Sequence, residues 1–265
     1  MTATARHTEH GNRDIALDGE ILRTVVGSGV HGIAIEGTDD HDEMGVFVEP
    51  AEHVLGMRKP VEHYVFRTQP EGVRSGPGDT DLVVYSLRKY LRLAMKGNPT
   101  MLLPLYAPTE AVVALRPLGE ELRALAPAVL SRQAGHRFLG YLDAQHRRLL
   151  AHGQQGRMPK RPELIARYGY DVKYASHALR LAYQGLEVVR EARLTLPMPE
   201  REREHVLRVK RGELPLEEVL RDILEVRTAV TGLLDAGRTP LAAGPDLDRI
   251  AGWATDAHRR HWSWN

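Results

Sequence analysis

Short apolar runs alternate with Gly- and Pro-containing turns in the first part of the chain, a pattern that predicts β-strands joined by short loops. The β-branched content and the short length of these runs favour strands over helices. The four runs are ILRTVV (21–26), GIAI (32–35), MGVFV (44–48) and HYVFRT (63–68). After Asp81, a further short strand passes into a helix with apolar residues at helical spacing, and the sequence Gly97-Asn98-Pro99 ends that helix.

Beyond about Pro117, apolar residues recur at helical spacing almost to the end of the chain. Loops containing Gly and Pro separate four long segments of this kind. The segments are 134–151, 172–189, 216–234 and 247–257. The sequence therefore predicts an α+β protein in which a small mixed β-sheet domain with helices (1–116) precedes an all-helical domain (117–265).

The composition restricts the chemistry that the chain can perform. It has 265 residues, of which 42% are hydrophobic and none is Cys, so disulfide frameworks, zinc-thiolate sites, iron–sulfur clusters and thiol nucleophiles are excluded. No apolar run is long enough to span a bilayer, and the polar start resembles neither a signal nor a transit peptide. A cytoplasmic protein without membrane partners is expected.

Charge is distributed unevenly along the chain. Residues 1–130 carry 13 basic and 18 acidic residues, a net charge of −5, whereas residues 131–265 carry 23 and 17, a net charge of +6. The acidic part suits hard cations and the basic part suits phosphates.

A Gly-Ser turn is the first candidate for function. The first predicted strand leads into Gly27-Ser28-Gly29-Val30-His31-Gly32. Backbone N–H groups in a Gly-rich turn, together with a hydroxyl, can bind an anion, because Gly permits close approach and positive φ. We expect His31 to be a turn residue near such an anion.

Acidic residues follow this turn within the stretch TDDHDE (38–43). Asp40 and Asp42 alternate, so an extended backbone directs both carboxylates to one face, with His41 on the other. Two carboxylates on one face repel each other unless a divalent cation neutralises them. Oxygen ligands suit Mg²⁺ or Mn²⁺. Asp81, at the head of a later strand, could complete a two-metal site for phosphoryl transfer. A His/Asp phosphohydrolase site using His31 and His41 is the alternative.

At these residues the chain resembles the DNA polymerase β-like nucleotidyltransferase superfamily, whose pattern is GS, then D-x-D, then a later Asp. It resembles more closely a bacterial and phage family of predicted nucleotidyltransferases, some of them associated with RNA repair, over residues 20–262. The shared motifs are a GS-x-x-x-G turn (27–32), an S-D-x-D-x-x-G-V motif (38–46, with Thr38 in the first position and Asp39 inserted), Y-S-L-R-K (85–89), K-G-N-P (96–99) and Y-G-Y-D-x-K-x-A-x-H-x-x-R (168–180).

The resemblance implies roles for particular residues. Gly27 and Ser28 would hold the triphosphate, and Asp40 and Asp42 would bind metal. Asp81 would complete the catalytic triad as base or metal ligand, with Asp79, two residues earlier, as the alternative third carboxylate. Asp39 adjoins the first pair.

Further candidate nucleotide contacts lie on two helices. Arg88 and Lys89 follow the third carboxylate closely and could contact a triphosphate or an incoming strand. A later helix carries Lys173, His177 and Arg180 on one stripe. Following the resemblance, we expect the nucleotide- or acceptor-facing residues of that region to be Tyr168, Asp171, Lys173, His177 and Arg180.

A dense run of basic residues precedes that helix, and its only acidic residues are Asp143 and Glu163. Such a run is compatible with a solvated helix face or with contacts to a nucleic-acid backbone, which would be salt-sensitive and indifferent to base identity. Its members are Arg132, His136, Arg137, His146, Arg147, Arg148, His152, Arg157, Lys160, Arg161 and Arg167.

The sequence thus predicts a Mg²⁺- or Mn²⁺-dependent enzyme that transfers a nucleoside monophosphate from an NTP, such as ATP, to a hydroxyl and releases pyrophosphate. The basic region and the RNA-repair association favour a nucleic-acid 3′ end as acceptor, RNA before DNA. The alternatives are a protein adenylyltransferase of antitoxin type and a catalytically silent nucleotide-binding module. The choice of NTP, the physiological acceptor and the oligomeric state do not follow from the sequence.

Overall fold

A computed structural model describes residues 7–37, 39–150 and 161–263. Six strands and a larger number of helices make up this part of the chain, which confirms the predicted α+β class. In chain order the elements are β1 (Thr8–His10), α1 (Arg13–Asp18), β2 (Glu20–Val25), α2 (Gly27–His31), β3 (His41–Phe47), α3 (Ala51–Val54), β4 (His63–Arg67), β5 (Thr80–Ser86), α4 (Leu87–Ala94), α5 (Pro99–Tyr106), β6 (Val112–Leu115), α6 (Pro117–Ala124), α7 (Ala126–Val129), α8 (Arg132–Leu150), α9 (Pro162–Tyr168), α10 (Val172–Glu191), α11 (Glu200–Lys210), α12 (Leu216–Asp235) and α13 (Leu247–His261).

The chain folds into two compact units. Unit 1 comprises residues 1–95, 100–129 and 245–265, and unit 2 comprises residues 96–99 and 130–244. The predicted boundary after residue 116 does not coincide with this division, because α6, α7 and α13 belong to the unit that contains the sheet.

A six-stranded sheet with the order β1-β4-β5-β3-β2-β6 forms the centre of unit 1. β3 and β5 are parallel, and the other neighbouring pairs are antiparallel. Alternation along the strands places Phe47, Tyr64, Leu82 and Val84 in one buried cluster with Ala16 of α1. Burial of each large apolar side chain stabilises the sheet by about 1.5–3 kcal/mol.

One predicted strand is wrong. Residues 32–35 (GIAI) continue irregularly from the end of α2. Gly32 ends that helix with φ +71°, and the Ile33 amide then donates to the Ser28 carbonyl (3.1 Å) while the Ile35 amide donates to the Asp39 carboxylate (2.7 Å). These local hydrogen bonds use the amides that a strand would give to its neighbour.

Within unit 1, polar contacts with Glu49 hold helix α13 near the end of β3. His258 and Glu49 are both buried, with 3.2 Å between Nε2 and a carboxylate oxygen, while Nδ1 of His258 lies 2.7 Å from the Ala254 carbonyl oxygen. Trp262 donates from Nε1 to the Glu49 backbone carbonyl (2.8 Å). Long-range hydrogen bonds of this kind in a water-poor setting hold α13 to the end of β3.

Unit 2 is helical, and α10 packs against α8, α9, α11 and α12. Small residues allow the close approach of α10 and α8, since a Cβ on Gly185 would lie only 3.0 Å from the Cβ of Phe138. Arg227 of α12 binds Asp143 of α8 through two hydrogen bonds of 2.7 and 3.2 Å. Among the described residues of both units, no helix combines the length and apolar character needed to cross a membrane.

Candidate active site

Three carboxylates meet at neighbouring strands of unit 1. Asp42 and Asp81 are the second residues of β3 and β5, and the parallel register places them directly opposite each other. Asp40 lies in the loop just before β3, and one oxygen from each of the three groups falls within 4.8 Å of the others. All three side chains are half-buried. The structure thus brings together the three residues that the sequence pattern selects as metal ligands.

Asp81 is held in place by its neighbours. Gln69, a buried residue just beyond β4, donates from its side-chain amide to one Asp81 oxygen (2.9 Å), and the Ser75 hydroxyl donates to the other (2.9 Å). Arg67 of β4 lies 3.8 Å from the same carboxylate. These partners fix the side chain of Asp81, and the sequence analysis missed them because they lie in or beside a loop with no recognisable motif.

The two other acidic candidates have separate partners. The Asp79 carboxylate accepts hydrogen bonds from the Gly76 amide (2.9 Å) and from the Thr68 hydroxyl (2.8 Å). These bonds lower the pKa of Asp79. Asp39 accepts from the Ile35 amide. Asp79 therefore shapes the loop before β5, while Asp81 joins the carboxylate cluster.

The Gly-Ser turn touches this cluster. Gly27 has φ +63°, and a Cβ at that position would collide with the carboxylate of Asp42. The Val26 amide donates to the backbone carbonyl of Asp42 (2.8 Å). Ser28, next in the chain, is half-buried. His31 is only 2% exposed, so its expected contact with a nucleotide stays a prediction that its burial does not favour.

The donor set fits Mg²⁺ or Mn²⁺. Among the described residues, the cluster consists of three carboxylates without a nitrogen or sulfur ligand, and hard divalent cations prefer oxygen ligands. Close carboxylates repel one another, and a divalent cation bound among them would offset this repulsion. His41 lies on the opposite face of β3, where its Nε2 is 2.9 Å from the Glu43 carboxylate, which does not support a His/Asp metal site.

Lys89 and Arg88 are placed differently from the carboxylates. The Lys89 ammonium donates to Glu62 (3.0 Å) and to Nδ1 of His63 (3.1 Å), and it lies 5.9 Å from the centre of the Tyr85 ring. Tyr85 stands four residues along β5 from Asp81. Arg88 is exposed on α4. Their contacts with a nucleotide stay predictions.

In unit 2, Asp171 has a structural role that the sequence analysis did not assign. Asp171 is fully buried and caps α10 by accepting from the amides of Lys173 and Tyr174 (both 3.0 Å). Its other oxygen accepts from the Arg161 guanidinium (3.0 Å). Tyr168 also has a packing role, because its ring lies against Gly212, where a Cβ would collide with it. The expected contacts of both residues with a nucleotide or acceptor stay predictions.

Lys173 and Arg180 give α10 a positively charged stripe, and His177 lies between them. Burial lowers the pKa of His177 well below its ordinary value, and the nearby cations, foremost Arg180 and Lys173 with Arg148 and Arg161 behind them, lower it further. His177 is therefore neutral at pH 7, in a positive field that suits an anion. Arg180 donates to the Gln184 side chain (2.8 Å), and burial lowers its pKa to about 10.

The basic run has a varied exposure. Four of its members on α8 and one on α9 are exposed, namely His136, Arg137, Arg147, Arg148 and Arg167. Arg132, His146 and Arg161 are half-buried, and His152, Arg157 and Lys160 lie outside the described residues. The exposed members can meet a phosphate backbone without rearrangement.

Comparison with known proteins gives one family. The sequence model of the RNA repair pathway DNA polymerase beta family, RlaP, matches residues 10–239. Among solved structures, a nucleotidyltransferase-like protein from Exiguobacterium sibiricum 255-15 aligns over 93% of this chain and 76% of its own, with 12% identity and a TM-score of 0.30. A comparison with curated protein sequences gives no significant match.

Proposed function

The chain belongs to the RNA repair pathway DNA polymerase beta family, and from this premise we propose that it is a divalent-metal-dependent nucleotidyltransferase acting in the cytoplasm. It transfers a nucleoside monophosphate from an NTP to the 3′ hydroxyl of a nucleic acid, RNA before DNA. The observation that carries the proposal is the meeting of Asp40, Asp42 and Asp81 within 4.8 Å beside the Gly-Ser turn.

Each residue of the cluster has a role in the proposed reaction. Asp40 and Asp42 bind Mg²⁺ or Mn²⁺, and Asp81 serves as a third ligand or as the base. When bound, the cation neutralises phosphate charge and lowers the pKa of the attacking hydroxyl. Gln69 and Ser75 keep the Asp81 carboxylate oriented. Gly27 lets the turn approach Asp42 closely, and the backbone of Gly27 and Ser28 holds the triphosphate.

The bonds that change follow from the reaction class. The acceptor oxygen attacks the α-phosphorus of the NTP, its proton passes to the Asp81 carboxylate, and the bond to the β-phosphate breaks to release pyrophosphate. Within unit 2, Lys173, His177 and Arg180 supply an anion site of their own that suits a phosphate group. The exposed arginines of α8 add contacts to the acceptor backbone.

The decisive experiment compares Asp42→Asn with Asp79→Asn. Each change removes one carboxylate charge, Asp42 from the start of β3 and Asp79 from the position just before β5. Only Asp42 belongs to the carboxylate cluster. Labelled NTPs, Mg²⁺ or Mn²⁺, and either oligonucleotides or candidate proteins are incubated with each variant. We expect Asp42→Asn to lose transfer and weaken Mn²⁺ binding, and Asp79→Asn to retain both.

Other outcomes select the alternatives. Label on protein but not on oligonucleotides would indicate an adenylyltransferase of proteins. Nucleotide binding by the wild-type chain without any labelled product would indicate a silent binding module. Free phosphate or monophosphate from the nucleotide alone would indicate a phosphohydrolase. Equal transfer by Asp42→Asn and the wild type would remove the metal assignment.

A further inference from the structure

A strip of partly exposed sheet surface runs along β4 and β5 from the carboxylate cluster. The antiparallel register pairs Arg67 with Asp81, Val65 with Val83, and His63 with Tyr85. Alternation places these three pairs on one face, whereas the residues between them, such as Tyr64 and Leu82, are buried on the other. The six residues of the strip are half-buried or, at Arg67, exposed. The strip is thus partly accessible to solvent along its length.

The two ends of the strip differ in chemistry. One end holds Asp81, a member of the carboxylate cluster. At the other end the rings of His63 and Tyr85 lie 6.2 Å apart at an angle of 31°. At about 3.3 Å per residue, the four residues from Asp81 to Tyr85 span roughly 13 Å. An extended molecule with one end at the cluster could therefore reach the two rings.

The ring pair has the properties of a stacking surface for a base. Burial and the neighbouring Lys89 ammonium lower the pKa of His63, so its imidazole is neutral at pH 7. Lys89 donates to Nδ1 of His63, which leaves the imidazole proton on Nε2. The ammonium also lies over the Tyr85 ring and pairs with Glu62. The end of the strip therefore combines two aromatic faces with the Lys89–Glu62 ion pair, whose ammonium lies beside the rings.

We propose that this strip binds the last unpaired nucleotides of a single-stranded RNA acceptor. The 3′ end lies at Asp81, the apolar middle at Val65 and Val83 supports the sugar and base, and an upstream base stacks on Tyr85 and His63. Lys89 and Arg67 contact the backbone phosphates. Single-stranded nucleic acids are bound in this way, by aromatic stacking beside positive charges. The inference rests on the proposed function, because the cluster fixes which end of the strip receives the hydroxyl.

The test replaces the aromatic ring at the far end. Tyr85→Leu keeps apolar volume but removes the stacking face, while Tyr85→Phe keeps it. Phe66→Leu is the matched control, because Phe66 lies on β4, is half-buried, and packs against the core on the opposite face. Binding of a 5′-fluorescein single-stranded oligoribonucleotide is measured by fluorescence anisotropy without NTP. The KM values for NTP and oligoribonucleotide are measured separately, and thermal unfolding checks that all variants fold.

We expect Tyr85→Leu to raise the Kd and the KM for the oligoribonucleotide about tenfold, the effect of losing one stacked base. Its KM for NTP should stay unchanged, and Tyr85→Phe and Phe66→Leu should bind RNA as the wild type does. Equal RNA affinity of Tyr85→Leu and Phe66→Leu would overturn the proposal. So would a rise confined to the KM for NTP, since the rings would then hold the incoming base, and so would failure of the wild type to bind the oligoribonucleotide.

The binding assay needs no turnover, so the two proposals can fail independently. Binding of RNA that depends on Tyr85, without any transfer by the wild type, supports the strip and refutes the transferase. Transfer to RNA that is indifferent to Tyr85→Leu supports the transferase and refutes the strip.

Discussion

The contact between Gly27 and Asp42 makes a sharp prediction for Gly27→Ala. Gly27 has φ +63°, and an added Cβ would occupy the space of the Asp42 carboxylate. The left-handed backbone conformation costs a residue with a Cβ about 1–2 kcal/mol. Displacing a packed neighbour adds about 1–3 kcal/mol. We therefore expect the free energy of unfolding to fall by about 2–5 kcal/mol.

A control variant separates the two contributions. Gly72, in the same unit, has φ +80°, and a Cβ there would meet no atom of the described residues within 4 Å. Gly72→Ala should therefore lose only the conformational part, about 1–2 kcal/mol. Urea denaturation followed by circular dichroism measures both variants under the same conditions.

The activity of Gly27→Ala should fall further than its stability suggests. The new methyl group pushes the Asp42 carboxylate away from Asp40 and Asp81, and a displacement of about 1 Å in a catalytic group can reduce the rate about 100-fold. The kcat/KM for nucleotidyl transfer should show this loss, whereas Gly72→Ala should retain the wild-type value. If the two variants match in both stability and kcat/KM, the close approach of the turn to Asp42 has no part in the site.

Three further predictions concern unit 2. Asp171→Ala should lower the free energy of unfolding by about 3–5 kcal/mol, because it removes the cap of α10 and leaves the half-buried Arg161 without its carboxylate; a loss under about 1 kcal/mol in urea denaturation would contradict this. Changing Arg147 and Arg148 together to Ala should raise the KM for the acceptor and flatten its salt dependence with little change in kcat, and unchanged acceptor binding would return these residues to a solvated helix face. The pKa of His177 is lower in the folded chain than its ordinary value of 6.5. Below pH 6.5 the unfolded chain therefore takes up more protons, and the free energy of unfolding decreases as the pH is lowered. His177→Gln should lose less free energy of unfolding over this pH range than the wild type, and sulfate should reduce the loss in the wild type. If denaturation shows the same dependence of the free energy of unfolding on pH for both chains, the lowered pKa of His177 is refuted.

Most of the sheet could be predicted because its strands are marked locally. The apolar runs at 21–26, 44–48 and 63–68 correspond to β2, β3 and β4, and the run after Asp81 to β5. The run at 32–35 failed because the amides of Ile33 and Ile35 bond to a carbonyl and a carboxylate nearby. Periodicity describes side-chain burial and carries no information on such local competition for amides.

The carboxylate cluster was accessible to sequence reasoning for a similar reason. Asp40 and Asp42 are separated by one residue, so alternation suffices to place them on one face. For Asp81 the sequence offered only its position at the head of a strand and the family resemblance, and the parallel pairing of β3 with β5 came from the structure. Gln69 and Ser75 were not accessible, because nothing in their own segments indicates which side chain they bind. The catalytic and metal-binding roles of the three carboxylates stay predictions that the experiments above test.

The sequence at Asp171 contains a helix N-cap signal, but the sequence analysis interpreted Asp171 as a residue that faces the nucleotide or acceptor. An Asp directly before an apolar helical run is typical of a helix N-cap, and the structure gives it that position with two amide hydrogen bonds. The position of α13 had no such signal. Its contact between His258 and Glu49 joins residues 209 apart in the chain, and only the folded structure reveals it.

The return of α13 to the sheet unit determines how the protein can be shortened. Residues 130–244 belong to unit 2 and interrupt the sequence of unit 1, as happens when one domain is inserted into another. Ending the chain at residue 129 would strip the buried Glu49 of its imidazole partner and of the Trp262 indole donor. A shortened chain that keeps unit 1 intact should instead retain residues 245–263 and replace the excised helices with a flexible tether.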